Sequence, residues 1–146
     1  MMKEARPINI LLVEDNEGDV FLVKKAFEKA KIMNVIYAAS DGEMAMQMLK
    51  RQSGYSDFPK PDIILLDINM PKMDGRQVLA DLKADPDLCR IPVIVLTSSE
   101  AEEDVKQSYD LQASGYIVKP INLLKFQEVV TAIEDFWFSI VVLPPK

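Results

Sequence analysis

Four apolar runs in this 146-residue chain each stop on a residue equipped for chemistry. Ile8 to Val13 (INILLV) runs into Glu14 and Asp15, and Ile63 to Leu66 (IILL) stops at Asp67. Pro92 to Leu96 (PVIVL) stops at Thr97, and Gly115 to Val118 (GYIV) at Lys119, which Pro120 follows. Three carboxylates brought together repel, and the usual remedies are protonation or a cation. An all-oxygen site that keeps several waters suits Mg²⁺. Such an ion would also neutralise the oxygens of an incoming phosphoryl group. Asp67 would then be placed as a nucleophile that forms an aspartyl phosphate. Lys119 would pair with that phosphoryl group, and the Thr97 hydroxyl would hydrogen-bond it.

Each of these residues also has an ordinary reading. Asp15 or Asn16 can simply be the N-cap of the helix that follows. Asp67 can be a turn residue, Thr97 an N-cap and Lys119 a solvated amine. The joint pattern favours a site, because all four strand ends would otherwise have to be polar by accident.

The elements that must position these residues follow from periodicity. The runs at 8–13, 34–39 (NVIYAA), 63–66, 92–96 and 115–118 read as five strands. Between and after them lie helical patterns. Val20, Val23, Phe27 and Ala30 mark the first helix, and Met44, Met48 and Leu49 the second, which Ser40-Asp41-Gly42 opens. Val78, Leu79 and Leu82 mark a third from about Gly75 to Lys83. A charged fourth helix starts near Glu100 after Thr97-Ser98-Ser99, and a fifth runs from about Asn122 to Phe138. Mostly apolar strands alternating with amphipathic helices predict a parallel sheet covered on both faces. In the flavodoxin-like order 2-1-3-4-5, strands one and three are neighbours and their three carboxylates crowd together. Gln52 to Asp62 (QSGYSDFPKPD) reads as a long polar loop, and Pro71 stiffens the loop after Asp67. No linker marks a second domain, so residues 1–146 read as one domain with an apolar extension from about 139 to 146.

Composition removes several function classes. The chain has no His and a single Cys, Cys89. That excludes Ser-His-Asp or Cys-His catalysis within it, makes a zinc site of the usual ligands untenable and fits a reducing, cytoplasmic setting. Net charge is −6, against the basic face that nucleic-acid binding needs. No apolar run reaches the length of a membrane span. Cys89, Met44, Met46 and Met48 read as packing groups. The acidic run 100–104 reads as a solvated helix face near its favourable N-terminus.

The motifs LLVEDN (11–16), LLDINMPKMDG (65–75), VLTSS (95–99) and YIVKP (116–120), in this order and spacing, resemble the response-regulator receiver domain of two-component signalling. The likeness covers Ile8 to about Phe138. It implies Asp67 as phosphoacceptor, Glu14 and Asp15 as acidic metal-site residues, and the backbone carbonyl of Asn69 as a further Mg²⁺ ligand. It implies Thr97 and Lys119 as phosphoryl contacts, and Tyr116 as the aromatic that turns inward on activation. The family usually carries a cis bond before the proline matching Pro120. The long loop and the FW…LP ending resemble the small single-domain regulators paired with bacterial phytochromes, which are commonly dimers through this region.

The resemblance implies a phosphorylation-controlled binding module fed by a sensor histidine kinase, not an enzyme beyond its own phosphorylation and dephosphorylation. No output domain fits after the fifth helix, so signalling is expected to pass through the receiver surface. The fifth helix places Leu123, Phe126, Val130, Ile133 and Trp137 on one stripe with Leu124, Val129 and Phe136 beside it. That exceeds what one sheet-facing stripe needs, and predicts a homodimer through this helix and the tail. The competing classes are weaker. An Asp-nucleophile phosphohydrolase commonly needs a second acid two residues on, where this chain has Asn69, and a cap to enclose substrate. A flavodoxin-like electron carrier needs a phosphate-binding loop where Glu14 and Asp15 would repel phosphate.

Overall fold

The computed structural model describes residues 7–70, 74–97, 115–119 and 122–141, with the side chains of 136–141 excepted. Its strands are β1 (Ile8–Val13), β2 (Asn34–Ala39), β3 (Ile63–Asp67), β4 (Val93–Thr97) and β5 (Gly115–Val118). Its helices are α1 (Glu17–Glu28), α2 (Gly42–Leu49), α3 (Gly75–Ala84) and a C-terminal helix (Leu123–Val141). All strand pairs are parallel and the order is β2-β1-β3-β4-β5, the flavodoxin-like arrangement expected. The expected fourth helix near Glu100, Pro71, Pro120 and the tail beyond Val141 lie outside the described residues.

Alternation along each strand splits its side chains between two cores. Leu11, Val13, Ile64, Leu66, Val93 and Val95 face α2 and α3, where Met46, Met48, Val78, Leu79 and Leu82 are buried. Ile8, Ile10, Leu12, Ile63, Leu65 and Leu96 face the other way. There they meet Val23, Ala26 and Phe27 of α1 and Phe126, Val130 and Ile133 of the C-terminal helix. Phe27 and Phe126 join these two helices edge to face, with centroids 6.2 Å apart.

Polar residues fix the ends. Asn16 caps α1 by accepting from Asp19 N at 2.9 Å, which leaves Asp15 free of that duty. Asp41 caps α2 and Asp74 caps α3 in the same manner. The C-terminal helix continues three residues beyond the expected Phe138, because Ser139, Ile140 and Val141 contain no breaker and the first proline waits until 144. The 52–62 loop is less polar in place than in composition. Its Phe58 is buried and packs edge to face on Tyr37 at 5.2 Å, while Arg51 Nε donates to the Phe58 carbonyl.

Candidate phosphoacceptor site

Strand register assembles the site. Val13 pairs with Leu66, so the next residues, Glu14 and Asp67, emerge side by side at the tips of β1 and β3. Asp67 pairs with Leu96 and Thr97 with Val118, which carries the same edge across β4 to β5. Lys119 N then donates to Thr97 O at 2.7 Å, tying the start of the lysine's loop to β4.

Glu14 and Asp67 are each only 2% exposed. They share a bonding scheme in which one oxygen takes a backbone N–H and the other faces the lysine. Glu14 Oε2 accepts from Asn16 N at 3.0 Å, and Asp67 Oδ1 from Asn69 N at 2.8 Å. Lys119 Nζ lies 2.7 Å from Glu14 Oε1 and 3.2 Å from Asp67 Oδ2. Asp15 is exposed, yet one oxygen each of Glu14, Asp15 and Asp67 lie within 4.8 Å of one another. That all-oxygen set of three hard ligands fits a divalent cation.

Burial disfavours charge on the Glu14 carboxyl and is the main reason it is raised to about 7 from an ordinary 4.5. Lys119 and the Asn16 N–H oppose that rise, and Asp67 adds to it. For Lys119, burial works to lower the ammonium. The bonds to Glu14 and Asp19 and the charge of Asp67 outweigh it and hold the group above its usual range. The ammonium thus stays charged at the acidic tip at any ordinary pH.

Of the other expected residues, Thr97 is buried at the tip of β4 and Asn69 is exposed just past Asp67. Tyr116, on β5, is 40% exposed. Sequence reasoning missed Asp19, whose Oδ2 lies 2.9 Å from Lys119 Nζ. The available signal was its place in the first turn of the helix that follows Glu14 and Asp15, which keeps its carboxylate near the same strand tip. It also missed Gly75 as a close contact. A Cβ there would lie 2.4 Å from Ile68 Cα and 2.5 Å from Asp67 O, so only glycine lets α3 start against the tip of β3.

Residues 10–133 match the family model described as the response regulator receiver domain. Response regulator Rcp1 of Synechocystis sp. is 45% identical over 145 residues, which is 99% of either chain. The crystal structure of the phosphorylated cyanobacterial phytochrome response regulator RcpA superposes with a TM-score of 0.84 at 43% identity, covering 96% of this chain and all of that one. The Mn²⁺-bound form of Rcp1 gives 0.82 at 45% identity, covering 95% of this chain and all of that one. With the five-stranded parallel fold and the acidic strand tips already described, these likenesses show that the chain belongs to the response regulator receiver domain family.

Proposed function

We propose that Asp67 accepts a phosphoryl group from a histidine of a sensor kinase, and that the kinase is of the phytochrome type. The observation that carries the reading is the Asp67 carboxylate itself. It is buried at a strand tip, 3.2 Å from an ammonium and within 4.8 Å of two further acids. In the reaction an Asp67 oxygen attacks phosphorus and an O–P bond forms. The P–N bond of the donor phosphohistidine breaks, and the imidazole nitrogen leaves with the electron pair. A bound divalent cation, for which Mg²⁺ is the best match, supplies charge neutralisation at the phosphoryl oxygens. Glu14, Asp15 and Asp67 would hold it, with the Asn69 carbonyl as a fourth ligand. Lys119 and Thr97 contact the phosphoryl group, and Tyr116 reports the change to the surface. Phytochrome pairing is supported by the phytochrome regulators among the similar structures. Intact mass after incubation with acetyl phosphate and Mg²⁺ tests the acceptor. One phosphoryl group should add to the native chain and none to Asp67→Asn. Full labelling of that variant would remove Asp67 from the role.

The chain works as one cytoplasmic receiver unit over residues 1–146, and pairs with a second copy through the C-terminal helix and the tail after it. Among the described residues, no helix is long and apolar enough to cross a membrane. Support for pairing comes from exposed apolar surface. Leu124 is 75% exposed. A groove of about 530 Å³ between the sheet and the C-terminal helix is lined by residues such as Ile94, Tyr116, Ile117, Val129 and Ile133. Phe136 and Trp137 are the anchors of the pair, and lie where side chains are outside the described residues. Sedimentation decides it: native protein should run as a dimer at micromolar concentration, and Phe136→Ala with Trp137→Ala as a monomer. A native chain that stays monomeric, phosphorylated or not, ends this part of the reading.

A further inference from the structure

Lys119 has three carboxylate partners, and the proposed phosphoacceptor is the most distant of them. Its Nζ lies 2.7 Å from Glu14 Oε1, 2.9 Å from Asp19 Oδ2 and 3.2 Å from Asp67 Oδ2. The ammonium thus sits among three carboxylates, donating a hydrogen bond to Asp67 and ion-paired with Glu14 and Asp19. Glu14 and Asp67 belong to the trio whose oxygens cluster closely enough to share a cation, and Asp19 does not. Asp19 comes from the first turn of α1, where Asn16 fixes the backbone by accepting Asp19 N. Its side chain is 18% exposed, so its bond to the ammonium is largely shielded from water.

We infer that Asp19 is a positioning residue for phosphoryl transfer, anchoring Lys119 through an acceptor that a cation on the acidic trio does not compete for. The inference rests on Asp67 being the phosphoacceptor. When the Glu14 and Asp67 oxygens are engaged by positive charge, their pull on the ammonium weakens. Lysine is a flexible four-carbon stem, and an unanchored one regains rotamer freedom and a strongly hydrated head group. Asp19 keeps the ammonium ion-paired from the α1 side. The N–H that now points at Asp67 Oδ2 is then aimed at the oxygens of a group arriving on that carboxylate. The N–H aimed at Asp67 Oδ2 already has hydrogen-bond geometry, so an anchored ammonium is directed along the line on which the group arrives.

The test uses the full chain and Asp19→Asn, which removes the charge and keeps the shape. With acetyl phosphate at saturating Mg²⁺, Asp19→Asn should label about tenfold more slowly, the loss expected for one charge-assisted bond. Asp19→Glu should recover part of the rate. In a Lys119→Met background, Asp19→Asn should slow labelling no further. A second readout does not depend on turnover. The Lys119 ammonium should give an exchange-protected ¹⁵N signal in native protein with Mg²⁺, and lose it in Asp19→Asn. Mg²⁺ affinity and far-UV circular dichroism should be unchanged. Labelling of Asp19→Asn at the native rate or faster overturns the inference, as does an undiminished effect without the lysine. If native protein takes no phosphoryl group, the acceptor reading fails instead, and the ammonium signal still decides whether Asp19 holds Lys119.

Discussion

Gly75→Ala offers a sharp test of how the tip of β3 is built. A Cβ at this position would lie 2.4 Å from Ile68 Cα, 2.5 Å from Asp67 O and 3.0 Å from Asp67 C. Carbon atoms in favourable contact sit at about 3.5–4.0 Å, so the methyl demands a separation of about 1 Å between helix and strand. The opposing atoms are backbone and cannot rotate away. Neither element can shift freely, because Ile68, Val78 and Leu79 are fully buried around the contact. Forcing extra volume into a packed core costs about 1–3 kcal/mol, and backbone on the receiving side puts this case near the upper end. Alanine's better helix propensity offsets at most about 1 kcal/mol. A net loss of about 2 kcal/mol lowers the melting temperature of a chain this size by roughly 4–8 °C. Gly115→Ala is the control: nothing lies within 4 Å of its Cβ, so it should melt at or slightly above the native temperature. Thermal circular dichroism of both variants gives the comparison. The displaced atoms include the Asp67 carbonyl, so Gly75→Ala should also label more slowly with acetyl phosphate well below its melting point. If the two variants melt together, the close approach of α3 to β3 is wrong.

Three further outcomes follow from the site. Glu14 is raised from 4.5 to about 7 in the folded chain, so the fold retains a proton that the unfolded chain releases. Its contribution is fully present below pH 4.5 and lost as pH rises through 7, a change of about 3 kcal/mol without metal. Relative to Glu14→Gln, metal-free native protein should therefore lose stability between pH 5 and 8 in urea titrations, and parallel curves would contradict this. Mg²⁺ should raise the melting temperature of native protein more than that of Asp15→Asn, and equal rises would argue against Asp15 as a ligand. Thr97→Ala should still accept phosphate yet lose the phosphorylation-dependent change at Tyr116, measured by partner binding. A switch that survives this substitution would break the proposed coupling.

The sequence showed the strands because each is a short, nearly unbroken apolar run, and the acids at their tips because an acid after such a run is conspicuous. The starts of the first three helices were legible to within a residue or two, but the caps less so: Asn16, not Asp15, caps α1, Asp41 caps α2, and Asp74 caps α3 without having been singled out. What escaped was contact between elements distant in sequence. Asp19 meets Lys119 across 100 residues, and Glu134 takes the backbone N–H groups of Lys31 and Ile32 from over 100 residues away. Asp62 joins Asn9 by a reciprocal pair of bonds, Asn9 N to its carboxylate and its own N–H to Asn9 O. Asp62 reads in sequence as part of a polar loop, and nothing in the sequence singles out Glu134. No periodicity marks a carboxylate that serves another element's backbone. Phe58 was hidden differently, as one of two aromatics in a run of turn formers.

The acidic tip is also where the fold gives up stability for chemistry. Burying Glu14 and Asp67 removes both from water, and each keeps one oxygen on a backbone N–H. One ammonium then serves three carboxylates, so charge at this end of the sheet is left unbalanced on the negative side. The raised Glu14 carboxyl is the metal-free chain's partial remedy, a proton standing in for a cation. A site already neutral would gain little from a cation and would offer a weak nucleophile. Here the residual charge makes cation binding favourable and holds Lys119 charged beside Asp67. Instability of the unliganded tip and readiness to accept a phosphoryl group therefore have one physical origin, carboxylates packed closer than their charges allow.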